Sequence, residues 1–410
     1  MTDLNENRTS RIYLDHAATT PLDPQVLERM MPYLTSNWHN PSSIYVEAQN
    51  ARRAIDQARH AIASAINCSA NELLVTSGGS ESDNLAIKGV IEVNTSNTKH
   101  VITSAGEHHA VLDPLEDLAR RNEISLSVVP LRKDGSIHFE DIEAHIQSDT
   151  ILISLMHANN EVGTFTDIPH IFNKLKATHE RITLHTDAVQ SVAHIPTDLS
   201  KLHADLVSFT AHKLYGPRGA GALYIKSGTP LHGQILGGGQ EEGLRAGTEN
   251  TAAIVGFASA IEVASERMID DIRHDRELQQ IVITELPKRI SCMGITGPKD
   301  PDKRLPGHVS CVIGFVEGES ILLALDLIGI AASSGSACTT GSIEPSHVLT
   351  AMGVPFDLAR GSLRLSLGRE TTKEAIESLL YALPNIVERL RALSPKQQTP
   401  PTEWKAWLDS

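Results

Sequence analysis

The sequence predicts an α/β protein with a mainly parallel sheet of seven strands, followed by a smaller α+β domain. Short apolar segments alternate with segments of helical spacing between residues 50 and 225, and several of the apolar segments contain few polar residues. Such alternation is typical of a parallel sheet, and continuously apolar strands are typical of a sheet that helices cover on both faces. A long helical stretch from Thr251 then begins a region of mixed strands and helices.

The individual elements follow from the same patterns. The predicted strands of the sheet are 73–76, 101–103, 126–130, 151–156, 182–185, 206–209 and 221–225. Helical spacing between the strands covers 50–66, 111–121 and 168–179. In the second region we expect a charged helix at 270–286, a strand at 309–313, and helices at 319–327 and 373–393.

These elements suggest two domains. We expect residues 19–267 to form the large domain, and residues 1–18 and 268–410 to form the small domain. The tail from residue 395 to 410 contains Pro, Gln and Thr. We therefore expect a poorly ordered tail, with Trp404 and Trp407 as a candidate docking patch.

Composition and charge exclude several classes of protein. The net charge of −14 argues against binding to a nucleic-acid backbone. No apolar run approaches the roughly 18 residues that a membrane-spanning helix needs, and the first residues lack the pattern of a signal peptide. The four cysteines form no CxxC pair, which argues against a zinc site and favours a reducing compartment. We expect a cytoplasmic protein without nucleic-acid or membrane partners.

Residues 208–213, Ser-Phe-Thr-Ala-His-Lys, end an apolar strand with a lysine, and Asp187 lies at the end of the preceding strand. A lysine in this place can hold an aldehyde as a Schiff base, and a buried aspartate can keep a pyridine nitrogen protonated. Together, Lys213 and Asp187 point to pyridoxal phosphate, whose protonated ring is an electron sink for amino-acid chemistry. A lone lysine at a strand end is most often a surface residue, so the prediction depends on the surrounding residues.

Several other predicted strands also end in polar residues. Residues 76–82, Thr-Ser-Gly-Gly-Ser-Glu-Ser, follow a strand and open a helix, where free N–H groups favour an anion such as a phosphate. His108, which can stack on a flat ring and move protons, follows another strand, as does Asn159, while Gln190 lies three residues after Asp187. A capped helix or a polar strand end explains each residue alone but explains the set poorly. We expect one site at the carboxyl ends of the strands.

The segment 331–342, Ala-Ala-Ser-Ser-Gly-Ser-Ala-Cys-Thr-Thr-Gly-Ser, is rich in small residues and predicts a mobile loop. An exposed thiol on such a loop, Cys338, suits a nucleophile, whereas Cys68, Cys292 and Cys311 are expected to be inert. Arg364 lies in an alternating strand-like segment. Its guanidinium could bind a substrate carboxylate, or could form a structural ion pair.

With these motifs, the chain resembles the NifS/IscS-type cysteine desulfurases, which are pyridoxal-phosphate enzymes of fold type I (class V aminotransferase-like). The resemblance covers nearly the whole length. Its most specific motifs are 13–21 (Tyr-Leu-Asp-His-Ala-Ala-Thr-Thr-Pro), 76–82, 211–213, 245–251 (Arg-Ala-Gly-Thr-Glu-Asn-Thr) and 333–339 (Ser-Ser-Gly-Ser-Ala-Cys-Thr). Residues 245–250 and 342–348 are more similar to the NifS branch than to the housekeeping IscS branch.

The resemblance implies a cofactor role for each strand-end residue. Lys213 would hold pyridoxal phosphate and move the substrate α-proton, and Asp187 would pair with the ring nitrogen. Gln190 would bind the phenolate oxygen, and His108 would stack on the ring. The residues implied to bind the phosphate are Gly79, Ser80, Thr210 and His212, with Thr248 reaching the cofactor of the neighbouring subunit in an obligate homodimer.

The resemblance also implies the substrate and the partners. Asn159, which would also contact the cofactor, and Arg364 would hold the carboxylate of L-cysteine. Cys338 would take its sulfur as a persulfide and release alanine. The persulfide would pass to a NifU/IscU-like scaffold for iron–sulfur cluster assembly or to another sulfur acceptor. No intrinsic metal site is implied, although Cys338 can transiently ligate a cluster shared with a scaffold.

Some residues depart from the commonest pattern of these enzymes. Ser80 and Thr210 stand where many relatives have Thr and Ser, and both keep the hydroxyl group. The tail lacks the longer ending by which IscS-type enzymes grip their scaffold, which leaves the scaffold open. Alternative functions are a selenocysteine lyase, a cysteine sulfinate desulfinase, or a non-catalytic protein of the same fold. The presence of Lys213, Asp187 and Cys338 together argues against the last.

Overall fold

The computed structural model describes residues 11–335, 344–393 and 399–408. The strands are β1 (Ile12–Tyr13), β2 (Leu73–Thr76), β3 (His100–Ser104), β4 (Ser125–Val129), β5 (Thr150–Ser154), β6 (Thr183–Asp187), β7 (Leu206–Thr210), β8 (Gly221–Ile225), β9 (Met293–Thr296), β10 (His308–Ile313), β11 (Ile330–Ala331) and β12 (Ser362–Ser366). The helices are α1 (Pro24–Thr35), α2 (Val46–Ile66), α3 (Gly79–Val93), α4 (His109–Arg120), α5 (Phe139–Glu143), α6 (Ile168–Thr178), α7 (Leu199–Leu202), α8 (Thr251–Arg289), α9 (Gly318–Leu327), α10 (His347–Ala351), α11 (Phe356–Ala359), α12 (Lys373–Ala392) and α13 (Thr402–Leu408).

Seven strands form the main sheet, in the order β2-β8-β7-β6-β5-β3-β4. The pairs from β7 to β4 are all parallel. Strand β8 runs antiparallel to both of its neighbours, β2 and β7, so β2 points in the same direction as β7. The predicted α/β fold with a mainly parallel seven-stranded sheet is therefore confirmed, and its strands lie close to the predicted positions.

Helices cover both faces of this sheet, which explains why its strands are so apolar. Alternate residues of a strand face opposite sides. Val75 and Val207 pack into the core that includes α2, α6 and the first part of α8, whereas Leu74 and Leu206 pack with α3 and α4. None of the helices in the described part of the chain combines the length and apolar character needed to cross a membrane.

A second core lies around a smaller sheet. There β10 pairs antiparallel with β9 and β12, and β1 pairs in parallel with β11. This core contains apolar residues of α9, α12 and the second part of α8, and Leu14 from the N-terminal segment. The charged helix expected at 270–286 is part of α8, a single helix of 39 residues that joins the two cores. The proposed domain boundary at residues 267/268 falls within α8 and stays a prediction.

The tail differs from the expectation for residues 402–408. These residues form α13, in which Trp404 is buried and its ring lies 5.0 Å from the ring of Phe315. Lys133 Nζ donates a 2.8 Å hydrogen bond to the carbonyl oxygen of Trp407 and lies 5.0 Å from the centre of its ring. Gly294 and Gly314 leave the room that the tail needs, because a Cβ atom at either would lie within 3 Å of Leu408 or Trp404. The prediction of a poorly ordered tail was wrong here, and Trp404 packs against its own chain.

Truncation of Trp404 tests this docking. We expect Trp404→Ala to favour release of α13 by about 3 kcal/mol, since the loss of a buried tryptophan typically costs that much. Amide hydrogen exchange in residues 402–408 should then be about a hundredfold faster, as measured by mass spectrometry. Tyr381→Ala, which truncates an exposed aromatic residue, is the matched control. Unchanged exchange in Trp404→Ala would show that this ring does not hold the tail.

Candidate active site

The carboxyl ends of five strands bring the predicted site residues to one edge of the sheet. The segments that follow β2, β3, β5, β6 and β7 contain Gly79, His108, Asn159, Gln190 and Lys213, respectively. In register, Asp187 of β6 lies beside Ser208 of β7, and Thr210 of β7 lies beside Gly221 of β8. We call this region the carboxyl edge. It is where parallel α/β sheets bind their ligands.

Lys213 ends a short 3-10 turn directly after β7. Its Nζ donates to the carbonyl oxygens of Ala17 and Ala18, the latter at 2.8 Å. Its own carbonyl oxygen accepts a hydrogen bond from His194 Nε2 at 2.8 Å. The amine is therefore held between the end of β7 and the N-terminal segment, and it contributes a positive charge beside Asp187.

Asp187 is the last residue of β6 and is buried. Burial raises the pKa of its carboxyl group, while the Val189 N–H, which donates to Oδ1 at 2.8 Å, and the charge of Lys213 act in the opposite direction. The nearby hydrogen bond and positive charge therefore do not fully offset the burial of this carboxylate, and a protonated nitrogen of a ligand could complete the compensation.

His108 lies at the N-terminus of α4 and caps it. Its Nδ1 accepts a 3.0 Å hydrogen bond from Ala110 N–H. Burial, with the charge of Lys213 as the next cause, lowers the pKa of His108 to about 4. The ring is therefore neutral at pH 7, and its proton lies on Nε2 because Nδ1 accepts a hydrogen bond.

The segment between β2 and α3 forms a cradle beside β7 and β8. A Cβ atom at Gly79 would lie 2.6 Å from Val189 Cγ2, so this position has no room for a side chain. Glu81 shapes the cradle, because it accepts from Ser77 N–H at 2.8 Å and from Arg245 Nε at 2.9 Å. Ser80, in the first turn of α3, is exposed. The free N–H groups of that turn suit an anion.

The two other residues predicted to bind the phosphate are Thr210, the last residue of β7, and His212, in the turn that follows. Thr210 Oγ1 donates to the Ala220 carbonyl oxygen at 2.9 Å and is buried. His212 Nδ1 lies 3.2 Å from Thr19 Oγ1, and burial lowers the pKa of His212 to about 4. Both residues therefore border the carboxyl edge as uncharged hydrogen-bonding groups.

Gln190 and Asn159 are buried and already bonded to backbone groups. Gln190 Nε2 donates to the Ala17 carbonyl oxygen at 2.9 Å. Asn159 Nδ2 donates to the Gly106 carbonyl oxygen at 2.8 Å, and its Oδ1 accepts from Glu161 N–H and Val162 N–H. Asn159 thus shapes the turn after β5, and its contact with a substrate carboxylate stays a prediction.

Arg364, in the middle of β12, reaches the carboxyl edge from the smaller sheet. Its Nη2 forms a 3.0 Å ion pair with Asp15, and its Nη1 donates to the Asn160 carbonyl oxygen at 3.0 Å. The ion pair considered from the sequence is therefore present. The Nε atom is nevertheless buried without a hydrogen-bond partner, which is unusual for a buried donor and leaves it able to bind a ligand oxygen.

Two predicted residues, Thr248 and Cys338, remain to be placed. Thr248 is exposed on the segment before α8 and lines a cavity of about 240 Å³ together with Ser77 and Gly219. Cys338 lies outside the described residues. The other three cysteines are free, and burial raises the pKa of each thiol, to about 12 for Cys68 and Cys311.

The sequence analysis missed two sets of residues at this edge. The first is the N-terminal segment, in which Asp15, Ala17 and Ala18 bind Arg364, Gln190 and Lys213. The sequence did contain a signal for this segment, the 13–21 motif, but the sequence analysis used that motif only for the resemblance and predicted no contact for it. The second is a set of buried carboxyl groups, Asp83, Glu107 and Glu161. Burial raises the pKa of all three, to about 8 for Glu107 and about 7 for Glu161.

These groups fit pyridoxal phosphate. The edge provides an amine for its aldehyde, a buried carboxylate for its ring nitrogen, a neutral imidazole, and a glycine cradle with a helix N-terminus for its phosphate. The described residues offer no comparable group for a metal ion, since they contain no cluster of three or more metal-binding side chains.

Comparisons with known proteins agree with this geometry. The "Cysteine desulfurase IscS" of Dictyoglomus turgidum is 47% identical over 394 residues, which cover 96% of this chain and 98% of the relative. A solved structure of a NifS-like protein is 34% identical, with a TM-score of 0.87, and covers 93% of this chain and 100% of its own. Another, described as SspA in complex with cysteine, is 34% identical, with a TM-score of 0.75, over 87% of this chain and 98% of its own.

The family assignment covers both cores and the whole carboxyl edge. Residues 12–379 match the Aminotransferase class-V family. Proteins of this family depend on pyridoxal phosphate. From Ile12 in β1 to Leu379 in α12, the chain thus belongs to the Aminotransferase class-V family.

Proposed function

We propose that this protein is a cysteine desulfurase that uses pyridoxal phosphate to move sulfur from L-cysteine to its own Cys338. The observation that carries the proposal is the pairing of Lys213 and Asp187 on adjacent strand ends, with the lysine charge acting on the buried carboxylate. Relatives of 41–47% identity that are named cysteine desulfurase IscS support the reaction. The structure described as a complex with cysteine supports the substrate.

Each group at the carboxyl edge has a role toward the cofactor. When bound, pyridoxal phosphate supplies the electron sink that makes the bonds at the amino-acid Cα labile. Lys213 would hold the aldehyde of the cofactor and would move the proton at Cα. Asp187 would keep the ring nitrogen protonated, the neutral His108 would lie against the ring, and Gln190 would bind the phenolate oxygen. The groups that would bind the phosphate are Gly79, Ser80, Thr210 and His212.

Arg364 binds the carboxylate of the substrate. Its Nε is buried and has no partner, while Asp15 and the Asn160 carbonyl oxygen fix the rest of the guanidinium. A carboxylate supplies the acceptor that Nε lacks, and a charge-assisted bond of this kind is strong. Asn159 supports the same subsite through the turn that it shapes.

Cys338 accepts the sulfur. The Cβ–S bond of cysteine breaks, an S–S bond forms to the Cys338 sulfur, and the Cys338 thiol proton balances the hydrogen gained by Cβ. The products are therefore alanine and a Cys338 persulfide, with no external oxidant or reductant. The raised pKa values of the other three thiols support this choice, because the thiolate is the nucleophile.

The protein acts as a homodimer. An apolar surface on residues 27–46 supports this assignment, with Trp38 70% exposed and Ile44 90% exposed. An exposed patch of this kind marks an interaction surface. Thr248 is also exposed and borders the cradle segment at Ser77, as a residue that reaches a neighbouring cofactor would.

The sulfur goes to an acceptor in the cytoplasm. The free thiols of Cys68, Cys292 and Cys311 suit a reducing compartment. The acceptor is a NifU/IscU-like scaffold for iron–sulfur cluster assembly or another sulfur acceptor, as the resemblance of the sequence implies.

Replacement of Lys213 tests the cofactor attachment. We expect Lys213→Ala to lose the visible absorption of bound pyridoxal phosphate and to lose the cofactor on gel filtration, because the amine proposed to hold the aldehyde is removed. Lys201→Ala, an exposed lysine on α7, should keep both properties. A coloured Lys213→Ala protein would refute the assignment.

Replacement of Cys338 tests the sulfur step. We expect Cys338→Ala to bind pyridoxal phosphate and cysteine like the unmodified protein but to release less than about a hundredth of the sulfide, since its nucleophile is gone. Cys68→Ala is the control. If Cys338→Ala keeps its rate on selenocysteine or cysteine sulfinate while the unmodified protein prefers these substrates, the alternative activities are correct instead.

Charged substitutions on the apolar surface test the dimer. Light scattering should give twice the 44.4 kDa of one chain for the unmodified protein. The double variant Trp38→Asp, Ile44→Asp should give one chain, because two buried and unpaired charges are costly at an interface. Leu327→Asp introduces the same charge on α9, where the leucine is also exposed, and should leave the mass unchanged.

A further inference from the structure

We propose that Glu161 is a positioning residue that anchors both described ends of the segment carrying Cys338, through the Ser346 hydroxyl and against the backbone of Gly335. The proposal rests on the role given to Cys338 above, but it concerns contacts among described residues. Glu161 is buried, although neither the cofactor groups nor the substrate groups use its side chain.

The carboxylate touches the two residues that flank 336–343. Ser346 Oγ donates to Glu161 Oε2 and also accepts from Leu349 N–H at 3.1 Å, so the same serine caps α10. On the other side, a Cβ atom at Gly335 would lie 2.5 Å from Glu161 Oε2 and 2.8 Å from Ser346 Cβ. Gly335, Ser346 and the carboxylate are thus packed without room for one more methyl group.

The backbone of Glu161 is itself fixed. Its N–H donates to Asn159 Oδ1 at 2.8 Å, and its carbonyl oxygen accepts from His308 Nε2 at 3.0 Å. The residue therefore belongs to the rigid turn after β5 and is held from β10 as well. A carboxylate on such a support can fix the residues that it contacts, because its own side chain has little freedom.

Neighbouring contacts hold the same two ends from other directions. Upstream, Ser333 N–H donates to the Arg364 carbonyl oxygen at 3.2 Å, and Arg364 N–H donates to that of Ser333 at 2.8 Å. Downstream, His347 Nε2 lies 3.0 Å from the Glu107 carbonyl oxygen. Among these described groups, Glu161 is the one that lies against both Gly335 and Ser346. It thereby fixes these two residues relative to each other and to Arg364.

Three substitutions disrupt the contacts among Glu161, Ser346 and Gly335 in different ways. Glu161→Ala removes the acceptor, Ser346→Ala removes the donor, and Gly335→Ala inserts a methyl group against the carboxylate. We expect each to raise amide hydrogen exchange in the peptides flanking 336–343 and to lower kcat for cysteine by about tenfold, the scale of one lost hydrogen bond to a carboxylate. KM for cysteine should change by less than about twofold, because Arg364 keeps its contacts.

Glu161→Gln is the conservative variant. Its amide oxygen can still accept from Ser346, so exchange and kcat should return to within about twofold of the unmodified protein. Adding Gly335→Ala to Glu161→Ala should cause a smaller further loss than Gly335→Ala causes alone, since the close contact with the carboxylate is gone and only the contact with Ser346 remains. Asp275→Ala is the matched control, because burial raises the pKa of Asp275 to about 7 as well, and it lies on α8 beside Gly307.

The outcomes separate this proposal from the function on which it rests. Unchanged exchange in Glu161→Ala and Ser346→Ala, or equal effects in Asp275→Ala, would overturn the anchor. If Glu161→Ala fails to fold, Ser346→Ala and Gly335→Ala give the same test. Full activity of Cys338→Ala would refute the role of the thiol, while the exchange measurements would still report whether Glu161 holds the two ends.

Discussion

Burying the carboxylate of Asp187 at the end of β6 costs several kcal/mol unless positive charge and hydrogen bonds compensate it. The chain supplies Val189 N–H and the Lys213 ammonium, yet burial still raises the pKa of Asp187. Lys213 in turn is held by carbonyl oxygens of Ala17 and Ala18. The N-terminal segment must therefore fold back over the carboxyl edge before the lysine has a defined place. In the proposed cofactor complex, a protonated ring nitrogen would complete the compensation, so we expect cofactor binding and the stability of this edge to be linked.

Two polar groups buried beside Asp187, Asp83 and His185, have pKa values shifted by burial. Asp83 is buried, and burial together with the charge of Asp187 holds the pKa of Asp83 well above its usual range. His185 lies 2.8 Å from Ser154 Oγ, 3.0 Å from Ser208 Oγ and 3.6 Å from Asp83, and burial lowers its pKa to about 3. Burial thus favours the uncharged forms of both Asp83 and His185, and His185 binds the hydroxyl groups of Ser154 and Ser208 in the neighbouring strands. In the proposed function, Asp187 is the carboxylate that faces the cofactor.

The sequence predicted the strands and the residues that follow them, because both depend on local pattern: apolar runs for buried strands, and polar residues where a strand ends. Lys213, Asp187 and Gly79 were found in this way. The residues that hold them were not. Ala17 binds Lys213 across 196 positions of sequence, and Arg364 binds Asp15 across 349, and no local pattern encodes such pairs. Helix α13 was missed for the same reason, since its short, proline-flanked sequence is helical only because Trp404 finds a groove opened by Gly294 and Gly314.

Arg364 shows why the proposed substrate site needs both sheets. The residue belongs to β12 of the smaller sheet, but its guanidinium is fixed by the Asn160 carbonyl oxygen after β5 and by Asp15 after β1. Its backbone also pairs with Ser333, just upstream of the segment with Cys338. One strand thus places the group proposed to bind the carboxylate and one end of the segment proposed to bring the thiol. A shift of β12 against the main sheet would therefore move both together, whereas the other described end, at Ser346, is held by Glu161 from the turn after β5.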